Sequence, residues 1–117
     1  MRVTGLSAVT LATTDMPRAT AFYEALGFER LFGGPEAEFT SYEAGDGYLN
    51  LILTHGGARW TWWGRTIFYV EDVDSFHRNA LVQGLKPSTE PADAHWGERY
   101  FHITDPDGHE LSFAKPL

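Results

Sequence analysis

The 117-residue sequence predicts an α+β fold made of two copies of a βαβββ module. Three observations predict it. Two amphipathic segments each begin at an Asp and end at a Gly. Asp15 and Asp72 lie 57 residues apart, and so do Gly27 and Gly84. Each segment follows one strand-like run and precedes alternating runs that close in a Gly-containing turn. That is an internal repeat.

The elements follow in order. Residues 5–13 read as a strand. Asp15 is an N-cap with Pro17 in the first turn. Ala19, Phe22, Tyr23 and Leu26 then share one helical face, and Gly27 ends the helix. Residues 28–32, 38–43 and 48–54 read as strands, the last two joined by Gly45-Asp46-Gly47, a hairpin signal. The second module repeats this. Residues 65–71 form a strand, Asp72 caps a helix carrying Val73, Phe76 and Ala80, and Gly84 stops it. A short strand is expected at 86–89, weakened by Pro87, which has no N–H to give a ladder. Residues 90–97 read as loop, and 98–104 and 110–114 as strands around the turn Asp105-Pro106-Asp107-Gly108. The expectation is a single domain over 1–117, with module one at 1–55, a Trp-rich connection at 56–63 and module two at 64–117. A module of about 55 residues is too small to bury its sheet alone, so two must pair, within the chain or between chains.

Nine basic and sixteen acidic residues give a net charge of −7. This excludes a phosphate-binding groove for nucleic acid and disfavours anionic membranes. No run is long enough to span a bilayer and no signal-peptide pattern opens the chain, so the expected location is the cytoplasm. The absence of Cys excludes disulfides, thiolate metal sites and a Cys nucleophile. Four Trp, five Tyr and eight Phe exceed what a small core needs and supply flat surface for a ligand.

The two modules, the helix FYEALGF and the segment WGERYFHITDPDGHELSFA together resemble the vicinal oxygen chelate superfamily of glyoxalases, bleomycin-resistance proteins and dioxygenases. The resemblance spans essentially the whole chain. It implies paired modules forming a cupped mixed sheet with helices outside, and a homodimer. Enzymes of that family hold a divalent metal at four equivalent strand positions. These fall here on Ala8, Asn50, Arg65 and Ser112. None is a His or carboxylate, so no metal and no cofactor are expected.

Alternation puts Val9, Leu11, Leu49, Leu51, Leu53, Thr66, Phe68, Val70, Phe101, Ile103, Leu111 and Phe113 toward the helices. The opposite face then carries the candidates. His102 suits a hydrogen-bonding contact or a general base, or is a strand His satisfied by Tyr100 or Ser112. Arg65 can clamp an anion or pair with Glu110. Glu110 is a second catalytic candidate, or a solvated rim residue. Trp62, Trp96, Tyr69 and Tyr100 can stack on a planar ligand, with Asn50, Arg65, His102 and Ser112 orienting it. Trp60 and Trp63 share the connection with Trp62. His55, His77, His95 and His109 read as loop or helix-surface residues without a role.

The expected function is metal-independent binding of a small, partly aromatic or apolar molecule, as the resemblance to bleomycin-resistance proteins implies. One alternative is a glyoxalase-like lyase or dioxygenase with a non-standard metal site or a different strand register. Another is a metal-free isomerase or hydrolase using His102 or Glu110. A third is a regulatory or structural dimer whose cup is vestigial.

Overall fold

A computed structural model describes residues 1–55 and 60–117. Gly56, Gly57, Ala58 and Arg59, the start of the expected connection, lie outside the described residues. The chain divides into two compact units, Met1–Ala58 and Arg59–Leu117.

The first unit contains β1 (Ala8–Thr13), α1 (Met16–Leu26), β2 (Arg30–Phe32), β3 (Phe39–Ala44) and β4 (Gly47–Leu53). Its sheet has the order β1-β4-β3-β2, with β1 parallel to β4 and the other pairs antiparallel. Asp15 caps α1 by accepting from the Arg18 N–H at 3.0 Å. Gly27 ends it at φ 108°, a left-handed conformation that side chains with a Cβ resist. The predicted stripe Ala19, Phe22, Tyr23 and Leu26 is buried, as are Leu11, Leu49 and Leu51 beneath it. Each such buried apolar side chain contributes roughly 1.5–3 kcal/mol over an exposed one.

Tyr42 of β3 is fully buried, and its hydroxyl donates to Glu24 Oε2 of α1 at 2.8 Å. The Arg30 guanidinium of β2 grips the same carboxylate at 2.9 Å. These bonds, Arg30 first, hold the Glu24 pKa below the usual carboxylate range. One helix side chain thus fixes two strands.

The second unit contains β5 (Arg65–Tyr69), α2 (Val73–Val82), β6 (Ala92–Asp93), β7 (Glu98–Thr104) and β8 (Glu110–Pro116). Its sheet repeats the pattern as β5-β8-β7-β6, with β5 parallel to β8. Asp72 caps α2 through the Ser75 N–H at 3.0 Å. Phe76 of α2 packs on Phe113 at 4.4 Å between ring centroids, and Phe113 stacks on Phe68 at 5.4 Å. Arg99 ties α2, β6 and β7 together by bonding Asp74 and Asp93, each at 2.9 Å.

Three expectations need correction. Residues 86–89 are not a strand. The Ser88 N–H instead donates to the His102 carbonyl at 2.8 Å, and the short strand forms beyond Pro91 as Ala92–Asp93. The Ser88 and Thr89 N–H groups both turn to the one His102 carbonyl instead of running along β7, and Pro87 and Pro91 have no N–H to extend a ladder there. β5 stops at Tyr69 rather than 71. His77 rests edge-on against core Phe101, with centroids 5.0 Å apart, and is not a simple surface residue.

Tyr42→Phe keeps the ring and removes only its bond to Glu24. It is expected to lower stability by about 1 kcal/mol, read from the urea midpoint at unchanged slope.

Candidate ligand-binding face

In the second unit β8 lies between β5 and β7, and its register places residues in rows. Arg65, Glu110 and Thr104 share one row. Ile67, Ser112 and His102 form the next, and Tyr69, Ala114 and Tyr100 the third. Glu98 and Pro116 follow. Side chains alternate across a strand, so these residues share the face opposite α2. The other parity holds Phe101, Ile103, Leu111 and Phe113, all buried.

The face has two carboxylates, and they are held differently. Glu110 Oε2 accepts from Arg65 Nη2 at 3.3 Å, with both side chains about one-third exposed at 33% and 30%. The Trp62 indole N–H donates to the same oxygen. Of the two readings open for Arg65 and Glu110, the structure shows the ion pair, so Glu110 is not a freely solvated rim residue. The Glu98 carboxylate accepts from Trp96 Nε1 at 2.9 Å through Oε1 and from the Tyr69 hydroxyl through Oε2. That bond to Glu98 raises the Tyr69 pKa. Tyr69 on β5 reaches β7 by bridging β8, where small Ala114 is 1% exposed.

His102 sits between these ends. Its ring lies 4.9 Å from that of Tyr100. Its backbone N–H donates to Thr89 Oγ1 at 2.9 Å. Its Nδ1 is buried and has no hydrogen-bond partner among the described residues. Burial first, then the Arg65 charge, push the imidazole pKa down, and Glu110 partly opposes them. Ser112, opposite His102, is buried at 3% exposure and does not satisfy that nitrogen.

In the first unit Asn50 and Thr10 share a row and are joined by an Nδ2–H to Oγ1 bond of 3.3 Å. Ser41 pairs with Asn50 from β3, and exposed Tyr48 and Ile52 flank it along β4. A depression beside the start of α1, between Asp15 and Glu38, holds none of the predicted site residues.

The donor chemistry does not fit the metal implied by the resemblance. Ala8 has no donor, the Asn50 amide is engaged with Thr10, Arg65 is a cation in an ion pair, and Ser112 offers a neutral hydroxyl. Among the described residues no group of three or more His, Asp or Glu is placed to hold a metal ion. Zn, Ni, Mn and Fe sites are built from imidazole and carboxylate.

His109, expected at the surface, is 4% exposed. Its Nδ1 accepts from Trp63 Nε1 at 2.7 Å, and its ring stacks on Trp60 at 5.0 Å and 10°. Trp60 Nε1 donates to the Asp107 carbonyl at 3.0 Å. Trp60 and Trp63 are therefore pinned on the β7–β8 turn, with Trp62 between them reaching Glu110. The parity signal was available: position 109 matches Leu111 and Phe113, on the buried side.

Two βαβββ units, each a four-stranded mixed sheet with one helix, define a recognised class of protein. The chain belongs to the Glyoxalase/Bleomycin resistance protein/Dioxygenase superfamily, whose model matches residues 5–113. No curated protein is similar in sequence at a significant level. Among solved structures, a bleomycin resistance determinant encoded on transposon Tn5 is 24% identical at a TM-score of 0.79, covering 97% of this chain and 98% of its own. A bleomycin-binding protein solved with bleomycin is 23% identical at 0.76, covering 98% and 100%. A lactoylglutathione lyase from Agrobacterium tumefaciens is 19% identical at 0.77, covering 97% and 95%. These likenesses establish the fold, which hosts binders and enzymes alike.

His109→Phe preserves a ring to stack on Trp60 and removes the acceptor for Trp63. A loss of about 1 kcal/mol is expected, measured by urea unfolding.

Proposed function

We propose that this chain binds a small, partly aromatic or apolar molecule without a metal, as a sequestering protein does. One observation carries the reading: an unpaired, buried His102 Nδ1 in the middle of a sheet face whose rim is exposed aromatic surface. A buried polar atom left unmatched costs roughly 1–3 kcal/mol, so a turn of the imidazole ring that brings this nitrogen to a ligand donor recovers that cost on binding. Trp62, Tyr69, Trp96 and Tyr100 supply stacking surface. Arg65, His102 and Ser112 set orientation. Pairing of the modules into one domain, a homodimer and a cytoplasmic location belong to the same proposal. No helix among the described residues is long and apolar enough to cross a membrane. Binding is favoured over general-base catalysis because, among the described residues, no carboxylate hydrogen-bonds to His102 to orient it as a base.

The test is titration with 2-naphthol, a neutral planar donor, followed by quenching of Trp fluorescence. Saturable quenching is expected, with affinity falling about fivefold or more in His102→Leu, a loss on the scale of one hydrogen bond. The absence of saturable quenching overturns the reading. Stoichiometric Zn, Ni, Mn or Fe in protein purified without chelator overturns its metal independence.

A pH effect follows from the lowered His102 pKa. Between the lowered folded value and the ordinary value near 6.5, the unfolded chain binds the extra proton. His102 therefore makes stability fall as pH drops through that window, and the penalty is complete below the folded value. Removing this titration in His102→Gln should flatten that part of the stability profile, measured by urea unfolding at pH 5 to 8.

A further inference from the structure

We infer that Glu98, with Tyr69, Trp96 and Tyr100, forms a subsite for an alkylated ammonium group on the bound molecule. This rests on the proposed binding face and names the charge of its ligand.

Five other carboxylates of the second unit have defined partners. Glu110 pairs with Arg65, and Asp74 and Asp93 pair with Arg99. Asp72 caps α2, and Asp105 accepts the backbone N–H groups of Asp107 and His109 within its own turn. Glu98 differs from Glu110, the other carboxylate held on this face. Among the described residues no Lys, Arg or His pairs with it. Its sequence neighbour Arg99 is committed to the helix side, and Lys115 Nζ is committed to the Glu71 carbonyl at 2.8 Å. Its negative charge is held in place by two neutral donors, the Trp96 indole and the Tyr69 phenol.

Those two donors belong to exposed aromatic rings, Tyr69 at 65% and Trp96 at 59%. Trp96 lies 5.6 Å from Tyr100 at a tilt of 31°. With their N–H and O–H turned to Glu98, the rings have only π surface to offer a ligand. A fixed charge beside π faces attracts a cation twice, by Coulomb attraction and by the ring quadrupoles. The cation is of a particular kind. A divalent metal ion needs several oxygen or nitrogen ligands, and this position supplies one carboxylate. An alkylated ammonium is weakly hydrated, and its methyl groups make apolar contact with the rings. The Arg65–Glu110 end of the face is already neutralised, so the charged end of a ligand is directed to Glu98 and its apolar part toward His102. The net charge of −7 draws cations to the molecule as a whole.

The experiment compares phenyltrimethylammonium with its neutral isostere tert-butylbenzene on the full chain, by Trp quenching and calorimetry. The wild-type protein should prefer the cation by about tenfold, a preference that shrinks with added NaCl. Glu98→Gln keeps an acceptor for one ring donor and removes the charge, and its cation-to-neutral affinity ratio should fall to near one. Trp96→Ala should lower the same ratio by removing one ring. Equal affinities in the wild-type protein, or an unchanged ratio in Glu98→Gln, overturn the subsite. So does binding of 2-naphthol without binding of either phenyl probe. Failure of all three probes overturns the binding face itself.

Discussion

The placement of β8 between a parallel neighbour, β5, and an antiparallel one, β7, governs the rest of the second unit. Pairing on both sides locks the two-residue alternation of the strand. Leu111 and Phe113 go to the helix, and Glu110, Ser112 and Ala114 go to the opposite face. A slip of one residue would exchange the two sets, exposing Phe113 and burying Glu110. The aromatic cluster of Phe68, Phe76, Phe101 and Phe113 makes that slip costly. The residues available to a ligand are thus a by-product of how the core is packed, and their chemistry is free to vary while the fold stays constant.

That freedom explains how one architecture carries both metal enzymes and binders. Metal chemistry needs imidazole and carboxylate at a few positions on the open faces. The positions that the resemblance implies for them hold an alanine, an amide, a guanidinium and a hydroxyl here. Arg65 and Glu110 neutralise each other, and His102 is held toward its neutral form by burial and by the Arg65 charge. Among the described residues, the face retains flat apolar surface, an imidazole nitrogen without a hydrogen-bond partner and a carboxylate without a basic partner. Each of these suits the binding proposed above.

The tryptophans at 60–63 show how a loop can be pinned to a sheet. His109 stacks on Trp60 and accepts from Trp63, anchoring both to the β7–β8 turn. Asp105 in turn accepts the His109 N–H at 2.9 Å, so the turn that reverses the chain also positions the anchor. Trp62 is left at 68% exposure, with its indole N–H on Glu110. A mobile aromatic would lose conformational entropy on stacking against a ligand, and a restrained one loses less.

Much of the fold was legible in the sequence because its signals are local. Asp15 and Asp72 capped the helices as read, Gly27 and Gly84 ended them, and alternation sorted β1, β4, β5, β7 and β8 correctly. The same parity placed Arg65, Tyr69, Tyr100, His102, Glu110 and Ser112 on one face of the second sheet. The strand expected at 86–89 failed because its pairing depends on which carbonyl of β7 lies alongside, a non-local fact. The anchoring of His109 was also out of reach in practice. Its partners Trp60 and Trp63 are more than forty positions away and come from a segment with no periodicity to orient them. Ion pairing is decided the same way. The sequence supplied Arg65 and Glu110 as candidates and passed over Glu98, and only the register across β8 gave Glu110 a cation and Glu98 two aromatic donors. Periodicity and capping are properties of neighbours in the chain and are written in the sequence. Which charge is neutralised and which imidazole is left without a partner depend on distances between strands, and those exist only in the folded molecule.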